Sequence, residues 1–270
     1  MMWGRVGWLA SVLIPAVMAC TDVNTDPQAV VAVSLDSVAT PSVVAGDTLR
    51  DTLGVVRGLR GSAYNYLGKV LQGYAVKYRA IDLGLHVDSL TGIVVADTAR
   101  TLPVRVLAEA GGIQTQPTSL FIVPQPYQVL GVDTTGFLAS GSVTYSAIYS
   151  PTDTTPVLSP ALTVRILPQD TVRTTVPIQG YLVSYQIQPL LPTDTSWAHL
   201  VNGSGQLNAV DTTGSLGTAG QFVQIRPLKL PAVTDSVVVL ATVRYHGVVL
   251  LGSPVRFVLQ VKPPPVQTGS

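Results

Sequence analysis

The stretch that decides the fold is Gly73-Tyr74-Ala75-Val76-Lys77-Tyr78-Arg79-Ala80-Ile81. Apolar and aromatic residues occupy every second position from Tyr74 to Ala80, and the two cations between them point the other way. Alternation with a period of two is typical of a β-strand that is buried on one face. We therefore expect a strand over residues 73–81.

A second stretch, Gly180-Tyr181-Leu182-Val183-Ser184-Tyr185-Gln186-Ile187, repeats this pattern. The glycine, the valine and both tyrosines recur at a single offset of 107 residues, which suggests an internal duplication. Because the tyrosines alternate with valine on one strand face, we expect all four in the core rather than in a carbohydrate-stacking strip. They are Tyr74, Tyr78, Tyr181 and Tyr185.

The composition favours strands and turns over helices. Glu109 is the only glutamate, only four lysines occur, and the other fourteen acidic residues are aspartates. Glutamate and lysine are good helix formers, whereas aspartate favours caps and turns. Valine, threonine, glycine and proline are abundant instead, so the sequence predicts an all-β protein with many turns.

Turn signals divide the chain into two units of similar design. Short alternating runs separated by Gly-, Pro- and Asp-Thr-containing turns predict two tandem β-sandwiches. We expect the first over residues 30–124 and the second over 128–262, with residues 125–127 as a stiff linker. The last eight residues, 263–270, are predicted to be a disordered polar tail.

The first nineteen residues have the pattern of a signal peptide. A short basic start that contains Arg5 precedes an apolar run from Val6 to Met18, which is shorter than the ~20 residues that a membrane span needs. The only cysteine of the chain, Cys20, follows directly. Residues 20–29 then read as a polar tether, and a single cysteine leaves no disulfide framework for the folded units.

Val17-Met18-Ala19-Cys20 resembles a bacterial lipobox, although Met18 is less usual at its position than a small residue. The resemblance implies cleavage before Cys20, acylation of that cysteine and lipid anchoring to a membrane. An ordinary secreted protein is the alternative. Thr21 rather than Asp follows the cysteine, which by the same resemblance points to an outer membrane. Two or more acyl chains give stable anchoring.

The strand order also resembles that of bacterial immunoglobulin-like (Ig-like) domains of the invasin/intimin type. In the first unit the resemblance is carried by the strand at Tyr74–Tyr78, the segment Leu90–Val94, the strand at Val104–Ala108, the Gly111-Gly112 hairpin and the strand at Leu120–Ile122. In the second unit it is carried by Tyr181–Tyr185, Gly205–Leu207, Val239–Val243 and Phe257–Val261. The family often has tryptophan where Tyr78 and Tyr185 stand, so this chain departs from the pattern there. The resemblance implies Ig-like sandwiches that serve in adhesion or as a stalk.

Charge and motifs exclude several function classes. Without residues 1–19, the chain has 15 basic and 15 acidic residues, so no electrostatic footprint for nucleic acid remains. Sequence motifs of nucleotide-binding loops, hydrolase elbows and zinc proteases do not occur, and we expect no catalytic residue, metal or cofactor. Oxygen-rich turns could bind calcium, so a calcium site is kept as an alternative, although no D-x-D-x-D-G array is present. The three histidines, His86, His199 and His246, are scattered and lie beside turn residues, and His246-Gly247 itself predicts a hairpin turn.

These observations lead to one main function hypothesis and two alternatives. We expect a non-enzymatic, lipid-anchored cell-envelope protein whose domains act as a stalk or adhesion module. It could instead bind a glycan or peptide on its surface, and the Gly-rich segment with Tyr64 and Tyr66 is then the expected ligand-contact loop. The third possibility is an accessory subunit of an envelope complex that accepts a partner strand.

Overall fold

The computed structural model describes residues 26–148, 155–169, 175–188, 197–226 and 236–262. Throughout these ranges every regular element is a β-strand. The predicted all-β fold is therefore confirmed. The predicted leader, Cys20 and the tail at 263–270 lie outside the described residues.

The strands before Pro124 build the first unit. They are β1 (Ala32–Ser37), β2 (Ser42–Val44), β3 (Arg60–Tyr64), β4 (Lys77–Ala80), β5 (Leu85–Val87), β6 (Val94–Ala96), β7 (Val104–Ala110), β8 (Ile113–Gln114) and β9 (Thr118–Val123). The main sheet has the order β2-β9-β7-β4, and β8 adds to β7. The β1-β3 pair and the β5-β6 hairpin contribute to the same core, which contains Leu85, Val94 and Val106.

The described strands after Pro124 build the second unit. They are β10 (Pro126–Val132), β11 (Leu138–Ala139), β12 (Ser142–Ile148), β13 (Val157–Leu158), β14 (Leu162–Pro168), β15 (Leu182–Gln188), β16 (Ala198–Val201), β17 (Val210–Thr212), β18 (Thr218–Ile225), β19 (Ser236–Thr242), β20 (Arg244–Tyr245), β21 (Val248–Val249) and β22 (Val255–Lys262). Two residues, Pro124 and Gln125, separate β9 from β10. The domain limits at 124 and 128 stay a prediction.

Two sheets enclose the second core. One has the order β12-β22-β19-β15-β17, and the other has β11-β10-β14-β18-β13 with β16 also paired to β18. Inward-facing residues of both sheets, such as Val239 and Val164, are fully buried. The ring of the fully buried Phe257 packs 5.9 Å from that of Tyr145. This is the two-layer arrangement of a β-sandwich.

The repeated stretch forms a strand in both units, but it begins later than predicted in the first. Tyr78 and Tyr185 are buried in the two cores, as expected. The expectation was wrong for Tyr74, which is exposed because β4 begins only at Lys77. Tyr181 lies just before β15 and is partly buried against the second core.

The Gly-rich segment 58–73 contains strand β3, which turns back after Tyr64 to an antiparallel bridge with Val70. Gly61 lies inside this strand, where a Cβ would be 2.6 Å from the carbonyl oxygen of Ser34 on β1. The glycine is thus needed for the close approach of two strands rather than for a turn. Tyr64 is the last residue of β3, and only Tyr66 lies in the turn that comes after it.

Candidate functional site at the junction of the two units

Side chains of both units are in contact where the two units meet. Val44 and Val123, at the ends of β2 and β9, are buried in the core cluster of the second unit. Phe121 and Tyr181 pack against the same cluster. Because apolar side chains of the first unit complete the core of the second, separating the units would expose them to water.

Two glycines with left-handed backbone conformation allow the units to approach closely. At Gly180 (φ +71°), a Cβ would be 2.8 Å from the ring of Phe121. At Gly54 (φ +82°), it would be 2.4 Å from the carbonyl carbon of His246. Both distances are shorter than a Cβ contact can be, so a larger residue at either position would force atoms of the opposite unit to shift.

Asp47 is the acidic group that pairs across the junction, and backbone hydrogen bonds hold its turn in place. The amide of Ala45 donates to the carbonyl of Val123 at 2.8 Å, and the amide of Asp47 donates to that of Val44 at 3.0 Å. The Asp47 carboxylate accepts from the Thr48 amide at 2.7 Å and from the Arg50 guanidinium at 3.2 Å. Its side chain is therefore fixed by the first unit itself, independently of the second.

His246 reaches the junction from the hairpin that joins β20 to β21. His246 (φ 52°) and Gly247 (φ 78°) both have positive φ, which is the geometry of a two-residue hairpin turn. The predicted hairpin turn at His246-Gly247 is thus confirmed. The His246 ring stacks on Tyr245 with centroids 4.0 Å apart, and its Nε2 lies 2.5 Å from Oδ2 of Asp47.

The surroundings of Asp47 favour its charged form. Burial by itself would raise the pKa of this carboxyl group, but hydrogen bonds from His246, Arg50 and Thr48 outweigh burial and lower the pKa. Burial raises the pKa of the Tyr245 hydroxyl, and the nearby Asp47 charge adds to this increase. The junction thus holds an ionised carboxylate against a neutral tyrosine.

A partly open cleft runs along the junction and is lined by both units. The first unit contributes Thr40 and Arg50, and the second contributes Ser184, Thr242 and Tyr245. Hydroxyls, an Asp-Arg pair and an aromatic ring can together hydrogen-bond and stack on a small polar ligand. Within the described residues, no three His, Cys, Asp or Glu side chains converge to hold a metal ion.

The residues that the sequence singled out lie elsewhere. Tyr64 and Tyr66 are at the opposite end of the first unit, and their role in ligand contact stays a prediction. Cys20 falls outside the described residues. Over the described ranges, no helix has the length and apolar character that crossing a membrane requires.

Sequence reasoning missed the pairing of Asp47 with His246. Ala45-Gly46-Asp47 and His246-Gly247 were each recognisable as turns, but 199 residues separate the aspartate from the histidine. Turn chemistry is a local signal, so nothing in either turn indicates that it faces the other.

Comparisons with known proteins identify similar folds only. No protein-family model matches the sequence, and a search of curated proteins finds no relative. The S-layer protein SbsC, domains 4 and 5, is 12% identical, with 85% of this chain and 96% of that chain covered at a TM-score of 0.28. The Escherichia coli adhesin FdeC is 15% identical, with 85% of this chain and 65% of the FdeC chain covered at a TM-score of 0.29.

The Yersinia pseudotuberculosis adhesin InvE is 11% identical, with 82% of this chain and 56% of that chain covered at a TM-score of 0.28. This chain thus spans less than two thirds of either adhesin structure. At such TM-scores, these similarities carry no argument about what the protein binds.

Proposed function

We propose that the protein is a non-enzymatic, lipid-anchored component of a bacterial cell envelope, in the outer membrane, whose tandem Ig-like sandwiches act as a stalk or adhesion module. The observation that carries the proposal is the junction. Val44 and Val123 enter the second core, and Asp47 pairs with His246 across the interface. A junction with both apolar and charged contacts holds two domains in one orientation, which a stiff spacer requires.

The anchoring part of the proposal rests on Cys20 and its resemblance to a lipobox cysteine. Full-length protein produced in a diderm bacterium should partition into detergent and carry a diacylglycerol on Cys20 by mass spectrometry. The Cys20→Ser variant should be unacylated and leave the membrane fraction, whereas the neighbouring Thr21→Ser control should behave like the wild type. Unacylated wild-type protein would refute lipid anchoring.

The stalk part is tested by the solution shape of the folded chain. Small-angle X-ray scattering of protein that lacks residues 1–19 should fit one fixed arrangement of the two units. The Gly54→Ala variant should change the scattering profile, because the added Cβ collides with the His246 backbone. The Gly46→Ala control has a similar positive φ but open space around its Cβ. A wild-type profile that requires many orientations would contradict the stalk.

The cleft supports a second candidate function, the surface binding of a glycan or peptide. The Asp47-Arg50 pair and the ring of Tyr245 line it beside several hydroxyls. Saturation-transfer NMR with neutral sugars and short peptides tests this function. A Ser184→Trp change, which fills the cleft, should abolish any signal, whereas Gln186→Trp, farther along β15, should not.

A further inference from the structure

Four exposed apolar or aromatic side chains form a patch on the first unit, which we call the tyrosine rim. Its members are Tyr66 (41% exposed), Leu67 (57%), Val70 (44%) and Tyr74 (43%). They lie on the segment between β3 and β4, and exposed Lys69 lies among them. Exposed apolar and aromatic side chains grouped on one short segment of a folded unit indicate a contact surface.

The rim is held in shape rather than left loose. Asn65 is buried, and its side-chain oxygen accepts hydrogen bonds from the amides of Leu67 and Lys69, both at 3.0 Å. The Gly68 amide donates to the Asn65 carbonyl at 2.9 Å, which closes the turn. The buried asparagine therefore fixes a tight turn that directs Tyr66 and Leu67 away from the core.

The rim lies at the end of the first unit that is farthest from the junction. Strand β9 runs antiparallel to β7, with Leu120 opposite Val104, and it ends at Val123 in the junction. The Val104 end of β7 is therefore the end nearer the junction. The other end of β7 leads into Gly111, and a Cβ on this glycine would be 3.2 Å from the Tyr74 hydroxyl. Tyr74 therefore marks the free end of the unit.

The chain enters the first unit at this same end. The side-chain amide of Asn65 donates to the carbonyl of Pro27 at 2.9 Å, and the Val31 amide donates to the carbonyl of Tyr64 at 2.8 Å. Only five residues lie between Cys20 and Asp26. At no more than ~3.6 Å per extended residue, Asp26 lies within about 22 Å of an acylated Cys20.

We infer that the tyrosine rim rests on the surface of the phospholipid bilayer that holds the anchor, and that this contact stands the two units away from the membrane. The inference depends on the proposed function, since it requires acylation of Cys20. Tyrosine suits the membrane interface because its ring is apolar and its hydroxyl remains hydrated. Lys69 adds attraction to anionic headgroups.

A label at the rim tests the inference directly. Acylation consumes the thiol of Cys20, the only native cysteine, so a cysteine introduced at Tyr66 is the single reactive thiol of the mature protein. Tyr66→Cys and the control Phe137→Cys are each labelled with a small fluorophore and reconstituted as lipidated protein in phosphatidylcholine/phosphatidylglycerol vesicles. Phe137 is also exposed, but it lies in the second unit, after β10 has led away from the junction.

Nitroxide-bearing lipids should quench the label at position 66 several-fold more than the label at position 137. Equal or absent quenching, with acylation of Cys20 verified by mass spectrometry, would overturn the inference and leave the proposed anchoring intact. A wild-type chain that is not acylated would overturn both. A second variant, Leu67→Ser with the label at position 66, should reduce the quenching. Unchanged quenching there would show that the rim does not hold the unit on the lipid.

Discussion

Tyr74 and Tyr181 occupy the same position of the repeated stretch, yet their surroundings are opposite. Tyr74 is exposed at the free end of the first unit, whereas Tyr181 is partly buried at the junction, where its hydroxyl donates to the carbonyl of Arg244 at 2.8 Å. Tyr74 stands three residues before β4 begins, whereas Tyr181 directly precedes β15 and lies beside the first unit. A repeated sequence therefore reproduces a strand, but the position of the strand in the molecule decides which of its residues are buried.

The two main sheets are otherwise built alike. Their orders, β2-β9-β7-β4 and β12-β22-β19-β15, correspond strand for strand. In each sheet, the edge strand that comes first in the sequence pairs in parallel with the strand that comes last in the sequence: β2 with β9, and β12 with β22. Tyr78 lies opposite Ala108, and Tyr185 lies opposite Ala241. The second sheet continues beyond this correspondence, because β17 pairs with the outer edge of β15. This correspondence supports the duplication that the sequence suggested.

The largest expected effect comes from removing the buried tyrosine of the second unit. Tyr185→Ala should lower the free energy of unfolding by about 3–5 kcal/mol, since it leaves a cavity in a closed core. The equivalent change at exposed Tyr74 should cost less than about 1 kcal/mol. Urea denaturation measures both values, and comparable losses would mean that the two copies have similar environments.

The matched glycines Gly73 and Gly180 give the next effect. Both have positive φ, so alanine at either position should cost about 1–2 kcal/mol through backbone strain. Gly73→Ala adds a Cβ with nothing within 4 Å, whereas Gly180→Ala places it against Phe121. The second variant should therefore lose about 1–3 kcal/mol more. Thermal denaturation that ranks the two variants in the reverse order would argue against a tight junction.

Removing only the hydroxyl groups compares the two buried tyrosines more finely. The Tyr185 hydroxyl donates to the Ala219 carbonyl at 3.0 Å in a fully buried setting, whereas the Tyr78 hydroxyl accepts from the Gly61 amide at 2.9 Å nearer the surface. Tyr185→Phe should cost about 1–3 kcal/mol and Tyr78→Phe about 0.5–1.5 kcal/mol. Equal losses in the free energy of unfolding, measured by chemical denaturation, would indicate that the degree of burial does not change the strength of the two hydrogen bonds.

The smallest effect concerns the charge at the junction. The folded-state pKa of Asp47 lies below its ordinary value of 3.8, so its contribution to stability is present above pH 3.8 and is lost as the pH falls through the folded pKa. Asp47→Asn should cost under about 1 kcal/mol at pH 6, because the pair is partly exposed. The difference in melting temperature between wild type and variant should shrink on acidification, and a constant difference would contradict the pairing.

Much of the fold could be predicted from the sequence, but the candidate site could not. Alternation identified the strands that contain Tyr78 and Tyr185, and local turn chemistry identified the hairpin at His246-Gly247. The burial of Tyr74 was predicted wrongly because alternation extends beyond the point where pairing begins, at Lys77. The Asp47-His246 pair depends on how the two folded units meet. The hydrophobic periodicity within one unit carries no information about its contacts with the other unit.

The parallel pairing of β12 with β22 has a consequence for how the chain matures. Val143 has its neighbour at Phe257, so the second sheet can be completed only after synthesis has passed β22, more than 100 residues after β12. The first unit closes earlier, when β2 finds β9 within the first 123 residues. Folding is therefore expected to proceed from the amino terminus, and the late closure of a long-range parallel pair is the slow step. A chain shortened before Val255 would lack an interior strand of the second sheet and would leave the edges of β12 and β19 open to aggregation.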